Sequence, residues 1–438
     1  MNTYRQLEAI VDIGTSKVVV LIGYFAPDRK VEIVGYGESE SEGIHRGVIM
    51  NSHEAANAIK MAIRMAQQGL DAQIKSVTVG INGHKLHSTI VPIEKTLDPQ
   101  KEITSETLQS IVKDAKTQAC LGGEIAYHAS PISFILNEET FINNPIGYTG
   151  KTLSSRYHVI TGPMDYQNMV LKTFEILNLH VEKIVVHPAI LGKYCLSKDE
   201  KEMGSAVVDF GCGVTTISIY FKKHLYHTST IPFGSEVVTS DIKEGFQIIN
   251  EYAERLKTSH GSITSLITNR NIQITLPQAG DIKEKDISIM ALSEVIEARL
   301  QEINEALVYQ MEKYDLIEKM GAGIVMSGGG ANLRGMQNLL SFDTGKEVRI
   351  FSSNQLVGSF ANKLNSPQYI TAINLMCYTL ERAEKEKRPK KNIEQNSSKK
   401  EKKEKQEKEK EQNRQIPFLK KYTNKILQFL EDDSDELN

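Results

Sequence analysis

Residues 204–222 read GSAVVDFGCGVTTISIYFK, and the rest of the chain is arranged around them. An apolar run at 206–208 enters the turn Asp209-Phe210-Gly211-Cys212-Gly213, and a second run rich in β-branched residues covers 214–220. This predicts a β-hairpin whose turn carries glycines and one acid. Glycine lets backbone N–H groups close on a phosphate, and an acid at a strand end can hold Mg²⁺ through water. The same spacing also serves plain hairpin turns, so one copy is a weak signal. Residues 10–23, IVDIGTSKVVVLIG, supply a second copy: apolar strand, Asp12, Gly14, small polar residues and an alternating strand. Two such hairpins in separate halves of the chain predict a duplicated α/β core with a nucleotide between the halves.

Composition sets the bounds. A chain of 438 residues, 40% hydrophobic and 24% charged, is expected to fold as a soluble protein of two or more domains. Its net charge of −3 argues against a general nucleic-acid binder. Cys120, Cys195, Cys212 and Cys377 are far apart and form no CxxC pair, so neither a disulfide framework nor a zinc site is expected, and a reducing cytoplasm is the default. Residues 1–9 hold no signal-peptide apolar region, and no run of about eighteen apolar residues occurs that would read as a transmembrane helix.

The first hairpin continues into a strand over 31–43. An N-cap pattern at Ser52-His53-Glu54-Ala55 then opens a helix over 55–68 that stops at Gly69, and a strand follows at 75–81. Residues 84–162 have a different texture: strand 86–93, a helix opened by Thr104-Ser105-Glu106-Thr107, then strands near 132–136 and 157–162. They read as a small α+β insertion, with His84 and His87 at its mouth as surface or strand residues. The α/β pattern resumes with helix 167–177, strand 181–186 and helix 188–196. After the opening hairpin come strand 225–232, helices 234–244 and 251–258, a polar strand-like stretch 262–284 and a long helix 288–314. Residues 321–340, GAGIVMSGGGANLRGMQNLL, read as a strand, a glycine-rich turn and a helix whose start carries Asn332.

At residue 381 the composition breaks. Residues 381–415 hold 14 Lys or Arg and 9 Glu with no aromatic residue. Such a segment cannot bury enough apolar surface to offset chain entropy and reads as an extended disordered linker, with a solvated single helix as the alternative. It ends in QIPFLKKYTNKILQFLEDDSDELN. On a helical projection Phe418, Leu419, Tyr422, Ile426, Phe429 and Leu430 share roughly one third of the circumference, beside Lys420, Lys421 and Lys425. Pro417 suits the first turn. This is the pattern of a helix lying on an anionic membrane surface. The alternative is docking on a protein surface, which the acidic end 431–436 favours.

Three glycine-bearing turns act together. Asp12, Gly14, Thr15, Ser16 and Lys17, with Asp209, Gly211, Gly213, Val214 and Thr215, would grip phosphates and Mg²⁺ from two sides. Gly328, Gly329, Gly330 and Asn332 would let an adenine lie against backbone. This order resembles the actin, sugar-kinase and heat-shock-chaperone superfamily. Within it the chain resembles the FtsA family of actin-like bacterial cell-division proteins, through IVDIGTSKV, TIPFGSEVVTSDI (230–242), AERLKTSHG (253–261), EVIEARLQEI (294–303) and GIVMSGGGANLRGM (323–336).

The resemblance implies a duplicated actin-like, ribonuclease H-like two-domain ATPase fold with an inserted α+β subdomain. The first domain would take 1–83 and 163–203, the insertion 84–162 and the second domain 204–360. A helix at 361–380 would return to the first domain, followed by the linker 381–415 and the membrane helix 416–432. It further implies an ATP- and Mg²⁺-binding filament former at the cytoplasmic face of the inner membrane at the division site. Such a protein anchors FtsZ through its C-terminal peptide and recruits later division proteins through the insertion. By motif, Glu254 and Lys257 should face the nucleotide sugar and Gly234 the phosphates. Arg299 matches the arginine of the FtsZ-tail site, where a guanidinium suits an acidic peptide; the alternative is pairing within its own helix with Glu302. Two departures from the superfamily pattern bear on catalysis. Val214, Thr215 and Thr216 follow Gly213 where an acid or histidine is common, and His187-Pro188 stands where some relatives have Glu-Pro. With no clear base, ATP hydrolysis should be slow at most. Cys212 reads as a small residue that fits the turn rather than a redox switch. A kinase of the same superfamily and the actin-like component of a pilus machine are the rival readings.

Overall fold

The computed structural model describes residues 7–70, 73–269, 271–276 and 285–387. The terminal amphipathic segment 416–432 and the greater part of the charged stretch lie outside them.

The fold is built twice from one plan. In the first half, strands Glu8–Ile13, Lys17–Phe25 and Val31–Glu40 form an antiparallel meander. Strands Ser76–Ile81 and His180–Val186 then add in parallel on the side of the first strand. In the second half, strands Ser205–Phe210, Thr215–Phe221 and His224–Ile231 form the meander, and Ile324–Ser327 and Val348–Ile350 add in parallel. Val18 to Ile22 and Ser205 to Phe210 are buried without alternation, as expected of strands covered on both faces. Helices Ser52–Ala66, Met164–Ile176 and His187–Cys195 belong to the first core, and Ser235–Phe246, Asn250–His260, Ile289–Glu312 and Met336–Thr344 to the second.

The insertion has its own core, in which helix Ser105–Ala119 packs Ile111 and Ala115 against Val91, Leu153 and Val159. Its strands His87–Thr96, Thr152–Pro163, Glu124–Leu136 and Thr140–Ile142 extend the sheet of the second half, beyond strand His224–Ile231. The join is narrow. One ladder pair links Ser229 to His87, and Ser88 Oγ both accepts from the Thr228 N–H and donates to the Thr228 carbonyl, each at 2.9 Å.

Several local expectations change. Val214 belongs to the turn, because pairing in the second hairpin closes at Phe210 with Thr215. The cap of helix Ser52–Ala66 is Asn51, whose carboxamide oxygen accepts from the His53 and Glu54 N–H groups. Asn332 ends a 3-10 turn, Gly329–Asn332, four residues before helix Met336–Thr344 begins. The charged stretch does not begin as extended chain, since helix Ile370–Lys387 runs through residue 381. Among the described residues no helix is long and apolar enough to cross a membrane.

Candidate functional site

Both hairpins close with the same bond. The Gly14 N–H donates to the Lys17 carbonyl and the Gly211 N–H to the Val214 carbonyl, each at 3.1 Å. A Cβ on Gly14 or Gly211 would stand 2.7 or 2.8 Å from that carbonyl oxygen, so each turn requires glycine. The hairpins meet tip to tip: a Cβ on Gly213 would lie 2.7 Å from Thr15 Oγ1. Thr15 Oγ1 in turn accepts from the Gly47 N–H at 2.9 Å. Between the halves lies a cleft of about 740 Å³, within the range of small-molecule sites.

Asp12, Gly14, Thr15, Ser16, Lys17, Asp209, Gly211, Gly213, Val214, Glu254, Lys257, Gly328, Gly329, Gly330 and Asn332 all line this cleft. Two expected members stand behind its wall. Thr215 is buried and donates to the Phe233 carbonyl at 2.8 Å. Gly234 starts helix Ser235–Phe246, whose Ser235 and Glu236 N–H groups donate to the Gly211 and Cys212 carbonyls at 2.9 Å. A Cβ on Gly234 would fall 2.1 Å from the Cys212 oxygen, so this residue shapes the turn from behind.

The acidic floor is buried. Asp12 Oδ1 lies 2.7 Å from His187 Nε2, and neither atom has a well-aligned hydrogen-bond partner. Thr371 Oγ1 donates to Asp12 Oδ2 at 2.8 Å, and Ser327 Oγ donates to Asp209 Oδ1 at 3.3 Å. Burial pushes the Asp209 carboxyl up to about 6, helped by Asp12 and opposed by His187. Burial opposes charge on the His187 ring, yet the adjoining Asp12 carries its pKa above the ordinary value. The Cys212 thiol is pushed up to about 11 by burial, which leaves it unreactive at neutral pH.

At the rim, burial lowers the Lys17 pKa despite Glu38 at 3.6 Å. Its Nζ donates to Gln368 Oε1 at 3.0 Å and sits 4.3 Å over the Tyr369 ring. On the opposite wall Lys257 is fully engaged, donating to the Ser235 carbonyl and Thr239 Oγ1 and pairing with Glu254 at 2.6 Å. Its ammonium therefore fixes the wall, and Glu254 presents what remains of its carboxylate. Gly328, at φ 85° and ψ 162°, packs so closely that a Cβ would meet the Phe210 oxygen at 2.4 Å and Asp209 Oδ1 at 2.7 Å.

Sequence reasoning missed Asn82, Asn250, Arg334, Gln368 and Thr371, which also line the cleft. Asn82 follows the end of strand Ser76–Ile81, and its Nδ2 donates across the cleft floor to Thr216 Oγ1 at 2.9 Å. Strand carboxyl ends are where α/β sheets place ligands, so that position carried a signal. Gln368 and Thr371 carried none, being more than 350 residues from the Lys17 and Asp12 groups they hold.

Arg299 lies away from this cleft on helix Ile289–Glu312. Its guanidinium donates to both oxygens of Asp241, Nε at 2.5 Å and Nη2 at 3.0 Å, and through Nη1 to Glu302 at 2.5 Å. The pairing within its own helix is present, and a bidentate partner from helix Ser235–Phe246 is added to it.

Two halves of one plan, facing hairpin turns and an inserted subdomain define an actin-like fold. The structure of a "PilM-PilN type IV pilus biogenesis complex" matches at a TM-score of 0.62, covering 86% of this chain and 99% of that one at 15% identity. Residues 206–374 match the family model "Cell division protein FtsA", and residues 83–161 match "SHS2 domain inserted in FTSA". Cell division protein FtsA of Escherichia coli K12 is 30% identical over 402 residues, covering 88% of this chain and 94% of that protein. FtsA of Neisseria meningitidis is 29% identical over 381 residues, covering 86% and 91%. The chain belongs to the FtsA family of cell-division proteins.

Proposed function

We propose that the cleft binds ATP with Mg²⁺ and that the protein polymerises on the cytoplasmic face of the inner membrane at the division site. There it would anchor FtsZ by the C-terminal peptide of FtsZ and recruit later division proteins through the insertion. The observation that carries the nucleotide reading is the tip-to-tip meeting of the two glycine turns over buried Asp12 and Asp209. The residues present fit the group. The turns form cradles that any Cβ would fill, and Asp12 Oδ1 is buried without an aligned partner. Asp12 and Asp209 would hold Mg²⁺ through water, which would neutralise phosphate charge. Gly14, Thr15, Ser16, Gly211, Gly213 and Val214 would cradle the phosphates, and Lys17 would trade Gln368 for a phosphate oxygen. Glu254 would meet the ribose, with the adenine on the Gly328–Gly329–Gly330 turn and Asn332.

Little turnover is expected. Thr216 is buried and accepts from Asn82, and His187 is held on Asp12, so neither is free to orient an attacking water. Steady-state assays should find tight ATP binding with slow hydrolysis; rapid turnover lost on changing Thr216 or His187 would overturn this. The membrane reading rests on the apolar stripe and lysines of 416–432. A single such helix binds reversibly, and polymerisation multiplies its hold. Removing residues 416–438 should abolish sedimentation with anionic liposomes, and unchanged sedimentation would refute the anchor.

A further inference from the structure

A second cavity, of about 130 Å³, opens where the insertion meets the first half of the fold, outside the lining of the large cleft. Helix Ser105–Ala119 contributes Lys116, strand Glu124–Leu136 contributes Tyr127 and His128, and strand His180–Val186 contributes Lys183. The first turn of helix His187–Cys195 closes it at Ala189.

Its charge is one-sided. Two lysines line the cavity and, among the described residues, no carboxylate does. The charged neighbour that bears most on half-buried Lys116 is Lys183, and burial together with that lysine lowers its pKa. The His128 ring is pushed down to about 4 by burial and by Lys116, Lys183 and Lys193, so it stands neutral with one N–H to donate. Helix His187–Cys195 begins at the same cavity, and its N-terminus has no side-chain cap, so its first backbone N–H groups are left without a side-chain acceptor. Lysine charge, a neutral imidazole donor and an uncapped helix start thus converge on a space of ion size, walled by tyrosine and aliphatic groups.

Like charges brought together in a partly buried site cost free energy unless an anion joins them. We propose that this seam is a binding site for a phosphate group, held by Lys116 and Lys183 with His128 as a neutral donor. The group is either free phosphate or the phosphate of a monoester. By spanning elements of the insertion and of the first half, it would tie the two together. The proposal is independent of nucleotide in the large cleft.

The test uses the full chain with lysines ¹³C-dimethylated, which keeps their charge, and signals assigned through Lys116→Arg and Lys183→Arg. Inorganic phosphate and O-phosphoserine are titrated separately at constant ionic strength. The expected result is saturable movement of both signals, with affinity reduced at least about tenfold by Lys183→Gln, the loss of one charge-assisted bond. Lys183 is exposed, so this variant should fold as the parent does. Saturation by phosphate alone assigns the free ion, and by phosphoserine assigns an esterified group. Signals that stay still, that respond as strongly to glutamate, or that keep full affinity in Lys183→Gln would overturn the proposal.

Discussion

Replacing Gly328 by alanine tests the wall of the large cleft. The backbone there, φ 85° and ψ 162°, is a conformation that glycine alone adopts readily, so a side chain costs about 1–3 kcal/mol before any contact is counted. The added Cβ would also stand 2.4 Å from the Phe210 oxygen and 2.7 Å from Asp209 Oδ1, and overpacking of this kind costs about 1–3 kcal/mol more. At about 2–4 °C per kcal/mol, Gly328→Ala should lower the melting temperature by at least about 4 °C. It should also weaken ATP binding, because relief of the clash moves Asp209. Gly329→Ala is the control for the melting temperature alone, since its Cβ meets nothing nearer than Gln368 Cβ at 3.8 Å. Scanning fluorimetry without nucleotide, followed by equilibrium dialysis with ATP, reads both effects. A Gly328→Ala protein that melts and binds like the parent would refute the reasoning, as would equal falls in melting temperature in the two variants.

Three further outcomes are expected. Burial lifts Asp209 to about 6, so the folded state keeps a proton the unfolded chain has released, and ligand-free stability falls as pH rises from about 4 to about 6. His187, also raised, acts in the same direction: its contribution is full below about 6.5 and is lost as pH passes its higher folded value. Thermal melts from acid to neutral pH should show Asp209→Asn flattening the lower part of that slope and stabilising the ligand-free protein near neutrality, by the order of 3 kcal/mol, while Mg²⁺-dependent ATP binding is lost. Asn82→Ala removes the donor to Thr216 across the cleft floor and should cost about 1–3 kcal/mol. A double-mutant cycle with Thr216→Val should return a coupling of about 0.5–3 kcal/mol. Arg299→Glu sets a carboxylate against Asp241 and should abolish binding of an FtsZ C-terminal peptide, whereas Asp241→Asn leaves the guanidinium its ion pair with Glu302 alone and should tighten binding; fluorescence anisotropy distinguishes the two.

What could be read from the chain followed the range of the interactions. The hairpins at Asp12 and Asp209 were legible because a strand, a glycine turn and a strand are written within fifteen residues or so and repeat. The insertion was legible as a change in texture, with Thr104 capping its helix through a hydrogen bond from the Thr107 N–H. Partners set by the folded chain were not. Asp241 lies 58 positions from Arg299, and no helical spacing connects them. The burial of Thr215 behind the wall depends on the Phe233 carbonyl, which the turn at Gly234 brings into place. Asn332 looked like the start of a helix because the sequence after the glycines is helix-forming, but Gly335 at φ 92° interrupts it.

The insertion is covalently part of the first half, leaving it after strand Ser76–Ile81 and returning at helix Met164–Ile176, yet its sheet is an extension of the second half. It is therefore attached on both sides: to the first half by the peptide chain and by Leu86, Tyr127 and Ile160 packing into that half's core, and to the second by Ser229–His87, Ser88–Thr228 and a 3.0 Å contact of His224 Nδ1 with the Pro131 carbonyl. Any rotation of the halves about the cleft must either shear these contacts or swing the insertion as a lever arm. In such a rotation the hydrogen bonds between Ser88 and Thr228 would act as a shear pin, resisting displacement of the insertion against the second half.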